Sequence, residues 1–110
     1  LNADNTLQKI ITYPEDFVGA SYTVTNADKG YSIIVRNGAQ DVNIIVPAGL
    51  IPAMQVGFIR DGTGEVTFVP SATSIYNAID GFRILGRYYP AMIEQGSANN
   101  IYYLLGNLKV

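Results

Sequence analysis

From Ser21 onward, turn-forming residues interrupt the chain at roughly ten-residue spacing, which leaves room for short strands and none for a long helix. The runs between interruptions are Ser21 to Thr25, Tyr31 to Arg36, Val42 to Val46, two runs within Val56 to Pro70, Ser74 to Ala78, Phe82 to Leu85, Tyr89 to Glu94, Ile101 to Leu105 and Leu108 to Val110. Asn26-Ala27-Asp28-Lys29-Gly30, Asn37-Gly38, Pro47-Ala48-Gly49, Asp80-Gly81 and the polar loop Gln95 to Asn100 separate them. Strands punctuated this way indicate a sandwich or barrel rather than a parallel α/β sheet. The expected fold is all-β, an antiparallel β-sandwich or jelly-roll-like domain over residues 21–110. Alternation places Val24, Ile33, Val35, Ile44, Val46, Phe68, Ile84, Ile93 and Leu104 in its core.

Val56 to Pro70 reads as a β-hairpin, two β-branched and aromatic runs joined by Asp61-Gly62-Thr63-Gly64, whose glycines can take the positive φ angles of a hairpin turn. A four-residue loop sets Arg60 opposite Glu65, Ile59 opposite Val66 and Gly57 opposite Phe68. A three- or five-residue loop brings Phe58 beside Phe68 instead.

Residues 1–20 read differently. Leu7, Ile10 and Ile11 have helical spacing, Ile10 to Thr12 also suit a strand, and Pro14 stops either. The segment is expected to be an extended N-terminal arm or linker that docks on this domain or a partner, with Leu7, Ile10, Ile11 and Tyr13 as its contacts. Because the chain opens on Leu1, the expectation is that an initiator Met or a longer upstream region has been lost or omitted.

Composition narrows the chemistry. Seven Lys and Arg against nine Asp and Glu, without a basic stripe, argue against neutralising the phosphates of a nucleic acid. With no Cys and no His, disulfides, thiolate and imidazole metal sites and the Ser-His-Asp or Cys-His nucleophile systems cannot be built from this chain. No apolar run of about 18 residues is present to span a bilayer, and no signal sequence opens the chain, so no membrane insertion is expected. Asp61 and Glu65 around a Gly-rich turn invite calcium, but two carboxylates fall short of the six to eight oxygens, roughly, that such a site gathers. Turn chemistry with an Arg60 to Glu65 surface pair is the simpler account. Glu15, Asp16 and Asp80 could supply paired carboxylates to a glycosidase, yet no spacing joins any two of them. The expectation is a protein without enzymatic activity, cofactor or metal.

The tyrosines are more informative. Adjacent strand residues face opposite ways, so Tyr88-Tyr89 and Tyr102-Tyr103 each send one ring outward. These four are candidates for subunit contact or for stacking against sugar rings, aromatic residues being favoured at interface centres.

Several stretches, taken in order, resemble a domain of bacteriophage tail fibres, tailspikes and related virion proteins. They are Tyr22-Thr23-Val24 with Asp28-Lys29-Gly30, Val42 to Pro47, Gly57 to Phe68 with its Gly-Thr-Gly turn and Val66-Thr67, Leu85 to Tyr89, Ala91 to Glu94, and the closing Tyr103-Leu104-Leu105-Gly106-Asn107-Leu108. The likeness covers about residues 21–110. Leu1 to Ala20 has no counterpart, and Tyr102 and Tyr103 stand where the family commonly has Trp. The resemblance implies a structural component on the phage particle surface, in a tail fibre, a tailspike or a capsid-surface decoration, often a homotrimer and involved in host attachment. Its partners would be other capsid or tail proteins and, in the alternative function of a carbohydrate-binding domain, host surface glycans. It carries no defined catalytic or receptor-contacting residues to this chain.

Overall fold

The computed structural model describes residues 7–96 and 98–110. Its strands are β1 (Leu7–Thr12), β2 (Ser21–Thr23), β3 (Tyr31–Gly38), β4 (Val42–Pro47), β5 (Gln55–Gly62), β6 (Val66–Ser71), β7 (Ser74–Tyr76), β8 (Arg83–Ile84), β9 (Pro90–Gln95), β10 (Ile101–Gly106) and β11 (Leu108–Lys109), with one 3-10 turn at Asn26–Asp28. The all-β expectation is met, and no α-helix occurs among the described residues.

The strands form two mixed sheets. One has six strands in the order β1-β3-β5-β9-β10-β7 and the other five in the order β11-β8-β6-β4-β2. Up to β6 the chain alternates between them, laying odd strands side by side in the first sheet and even strands in the second, all parallel. Leu7 pairs with Tyr31 and Ser32 with Gly57, while Ser21 pairs with Asn43 and Asn43 with Thr67, so corresponding positions return once per circuit. The first half is thus wound like a solenoid. Antiparallel strands complete it: β9 on β5, β10 on β9, β8 on β6 and β11 on β8, with β7 parallel to β10 at the edge.

This winding corrects the antiparallel sandwich and the hairpin. β5 and β6 do not pair with each other; they belong to opposite sheets, and the Asp61 to Gly64 segment turns a corner between them. The glycines there serve close approach rather than positive φ, since neither is among the positive-φ positions. A β-carbon on Gly62 would run into Asn37 Oδ1 and the Gly38 backbone, and one on Gly64 into the Gln40 carbonyl. The preceding corner lies directly against this one. Gly64 N–H donates to Gly38 O at 2.9 Å, and Asn37 Nδ2 donates to Gln40 O at 2.7 Å and Gly64 O at 3.1 Å.

The arm is corrected as well from Leu7 onward. β1 pairs with β3 over its six residues, and Ile11 and Phe17 are buried in the common core, so no boundary falls at residue 20. Pro14 ends the strand, as expected, but at a corner of the first circuit. Residues 1–6 lie outside the described residues.

Every residue assigned to the core from alternation is buried, and Met54, Val56, Phe58 and Tyr102 join them. Phe58 of β5 meets Phe68 of β6 edge to face, with ring centroids 5.4 Å apart, and so ties one sheet to the other. Buried Ile and Phe side chains each contribute about 1.5–3 kcal/mol relative to exposure, which makes this shared interior the main stabilising term.

Candidate interaction face

Strand alternation gives each sheet an inner and an outer side, and paired residues share a side. On the outer side of the six-stranded sheet, Ile10, Ile34, Ile59 and Pro90 stand in one register row across β1, β3, β5 and β9. The next row is Gln8, Ser32, Gly57, Met92 and Leu105, and the third is Gln55, Glu94, Tyr103 and Tyr76. Ile10, Leu105, Tyr103 and Tyr76 are between 44% and 55% exposed; Leu105, Tyr103 and Tyr76 lie together on β10 and β7, while Ile10 is on the opposite edge strand, β1. Gly57 opens a notch in the face between Ser32 and Met92.

Two hollows lie along this side and another opens at its β7 edge, where Leu108 of the other sheet joins the wall. The largest, about 500 Å³, is bounded by Tyr76, Asn77, Ile79, Tyr103, Leu105 and Leu108. A second of about 300 Å³ shares Leu105 and Gly106 with it, and a third of about 310 Å³ shares Ser32, Gly57 and Met92 with the second. Neighbouring hollows thus share lining residues, the first with the second and the second with the third.

The four candidate tyrosines are dispersed. Tyr103 is on the outer face, but its neighbour Tyr102 is fully buried and is a core residue, not a partner contact; burial pushes its hydroxyl up. Tyr88 and Tyr89 lie before β9 rather than in a strand, so alternation does not govern them and both are exposed. Tyr88 has φ +71°, donates its N–H to Arg60 O at 2.6 Å and has the Arg87 guanidinium 4.7 Å from its ring centre. Of the candidate arm contacts, Ile10 joins the outer face and Leu7 is exposed, whereas Ile11 is buried and Tyr13 packs against the core with its ring 5.8 Å from that of Phe17.

The acidic candidates are engaged in the fold. Asp61 pairs with Arg36 at 3.7 Å and Arg87 at 3.4 Å, and Glu65 with Arg60 at 3.6 Å and Lys109 at 2.7 Å. Arg60 is not the surface partner expected: it is buried, and donates to Gly62 O, Thr63 O and Ile84 O at 3.1, 2.6 and 3.2 Å. Asp16 accepts the Thr12 N–H at 2.8 Å in the first corner, and Asp80 sits in the turn after β7. No group of three or more acidic side chains suited to a metal occurs among the described residues.

One polar centre escaped the sequence reading. Asp28, fully buried, pairs with the Lys9 ammonium, lies 2.9 Å from the Tyr22 hydroxyl through each oxygen and accepts the Thr25 N–H at 3.0 Å. Burial draws the Lys9 ammonium down, but its hydrogen bonds to Asp28 and Tyr22 and the charge of Asp28 outweigh it and hold the group above its usual value. Burial first, then the Asp28 bond, raises the Tyr22 hydroxyl too. This cluster ties β1, β2 and the 3-10 turn together. In the sequence Asp28 stood only in a turn, with nothing to show that Lys9 would fold over it. The outer-face residues Ile34, Ile59, Met92, Leu105 and Tyr76 were missed too, although a signal existed: Ile33-Ile34-Val35 is an unbroken apolar run, the mark of a strand covered on both sides.

Comparison with protein-family models finds no match, and comparison with curated proteins finds none either.

Proposed function

We propose that the chain is a non-enzymatic structural module that assembles through the outer side of its six-stranded sheet. The observation that carries this reading is the Ile10, Ile34, Ile59, Pro90 row, four apolar residues in register on an open sheet face. Monomeric proteins seldom leave such a contiguous patch to water. A second copy of the same chain supplies a matching apolar surface, and cyclic symmetry closes the set. The setting follows the resemblance to phage fibre domains: a homotrimer on the surface of a virion, in a tail fibre, tailspike or capsid decoration, held by other particle proteins and serving host attachment. Asp28, Asp61 and Glu65 are each paired with cations of the fold, a structural use of these carboxylates that supports the non-enzymatic part.

Sedimentation at micromolar concentration tests the assembly. The expected species has about three times the 11.9 kDa chain mass, and Ile10→Lys with Ile34→Lys returns it to a monomer whose circular dichroism is unchanged. A wild-type monomer across that range, or a trimer indifferent to both lysines, overturns the reading.

A further inference from the structure

We infer that Tyr88 of one copy enters the notch at Gly57 of the next, so that the assembly is a ring of identical knob-and-notch contacts. The inference rests on the assembly reading and names the surfaces that meet in it. Each of the two residues is a poor choice for the fold around it. Tyr88 holds φ +71°, in the left-handed region that a tyrosine enters only with strain and a glycine enters freely, and its ring is 66% exposed. Gly57 is the reverse case. It stands inside β5, where a glycine weakens a strand, and it has no positive φ; a β-carbon there would meet nothing closer than Ala91 O at 3.9 Å. The fold therefore needs neither the ring nor the gap. The gap opens on a hollow of about 300 Å³ walled by Ser32, Ile59, Pro90, Met92 and Leu105, room for a phenol ring.

Symmetry brings the two together. A threefold axis laid along the Ile10, Ile34, Ile59, Pro90 row crosses the strands, and a pure rotation moves nothing along its axis, so β9 of one copy stays level with β9 of the next. Tyr88 lies two residues before Pro90, with its N–H on Arg60 O of β5, and Met92, the partner of Gly57, lies two residues after it. Knob and notch thus flank the axis at one height and on opposite sides, as a heterologous contact requires. Charge follows the same pattern. Arg36 and Arg87 share the Asp61 carboxylate, at 3.7 and 3.4 Å, which leaves one positive charge in excess beside the Tyr88 ring. Glu94, two residues beyond Met92, is exposed and pairs with no cation among the described residues. Seating Tyr88 in the notch brings Arg87 of one copy to Glu94 of the next, and opposite charges across an interface fix its register.

Sedimentation equilibrium of the full chain is the test, with thermal melting of each variant at a concentration where it is monomeric. Tyr88→Gly and Gly57→Val should each melt no lower than the wild type, since each gives the fold the residue it prefers. Both should raise the concentration at which the trimer dissociates by about tenfold or more. Arg87→Glu or Glu94→Arg alone should also weaken the trimer, and the two together should recover most of the loss. Tyr88→Gly alters only an exposed turn, so its result stands even if Gly57→Val fails to fold. A trimer as tight as the wild type with Tyr88→Gly, or charge reversals that do not compensate, overturns the inference and leaves the assembly reading in place. A wild-type monomer overturns both.

Discussion

The two sheets of this protein share one interior and differ in how much apolar surface they carry outside. Outside the six-stranded sheet, Ile10, Ile34, Ile59, Met92, Leu105, Tyr103 and Tyr76 stand among Gln8, Ser32, Gln55 and Glu94, whereas the five-stranded sheet presents Ser21, Asn43, Thr67, Arg83 and Lys109 in one register row beside the shorter row Thr23, Ile45 and Val69. The inner sides are both mainly apolar, with Ile33, Val35 and Phe58 facing Ile44, Val66 and Phe68, and buried Asn37 and Arg60 interrupt only the six-stranded one near its corner. Folding demands only the inner sides. The contrast outside is therefore not required by folding, and it is the reason for proposing the six-stranded side as the assembly face.

The comparison can be broken by loosening what the faces have in common. β1 and β2 are the edge strands of the two sheets, and Lys9 and Tyr22 converge from them on Asp28. Lys9→Met leaves a buried carboxylate without its cation and should cost about 3 kcal/mol, read by urea unfolding. If both sheets depend on this clasp, they should lose protection from hydrogen exchange together. A loss confined to β1 would show that the faces are less coupled than the fold suggests. The same cluster predicts alkaline sensitivity. Lys9 and Tyr22 hold their protons more tightly folded than unfolded, so their contribution is complete below their ordinary values of 10.5 and 10.0 and is lost as pH rises through the raised ones. Lys9→Met should remove its own share of that loss, visible in a comparison of the two stability profiles above pH 10.

A smaller effect is expected where the chain passes from one sheet to the other. Gly64→Val drives a side chain into the Gln40 backbone and should cost about 2 kcal/mol by overpacking the stacked corners. An unchanged melting temperature would mean that the corners do not bear on each other as described. The least disruptive change sharpens the contrast most. Val69→Lys, on the outer side of β6, should alter stability by no more than about 0.5 kcal/mol and leave sedimentation unchanged. Dissociation by that variant would transfer the assembly role to the five-stranded face.

How far the sequence could be read depended on which interactions are local. Turn residues and alternation are properties of a few neighbouring positions, and they placed Val24, Ile33, Val35, Ile44, Val46, Phe68, Ile84, Ile93 and Leu104 inside, as found. The same local information could not say where a strand goes after its turn. Asp61 to Gly64 looks the same in composition whether the chain folds back beside itself or crosses to another sheet; stacking against Asn37 to Gln40 decided the crossing. Tyr102 and Tyr103 were rightly divided between inside and outside, while Tyr88 and Tyr89 were not, because the Tyr88 φ of +71° puts them in a turn.

What the sequence determined alone was an all-β chain with a turn-punctuated core and, through its lack of His and Cys, a narrow chemistry. Only the tertiary structure decided that the first circuit is part of the core, that Asp28 and Lys9 meet, and that residues as distant as Ile10 and Pro90 or Gln55 and Tyr76 stand in common rows. The physical reason is that strand pairing is non-local: a row across a sheet draws one residue from each strand, and no neighbouring position in the chain records which strands will lie side by side.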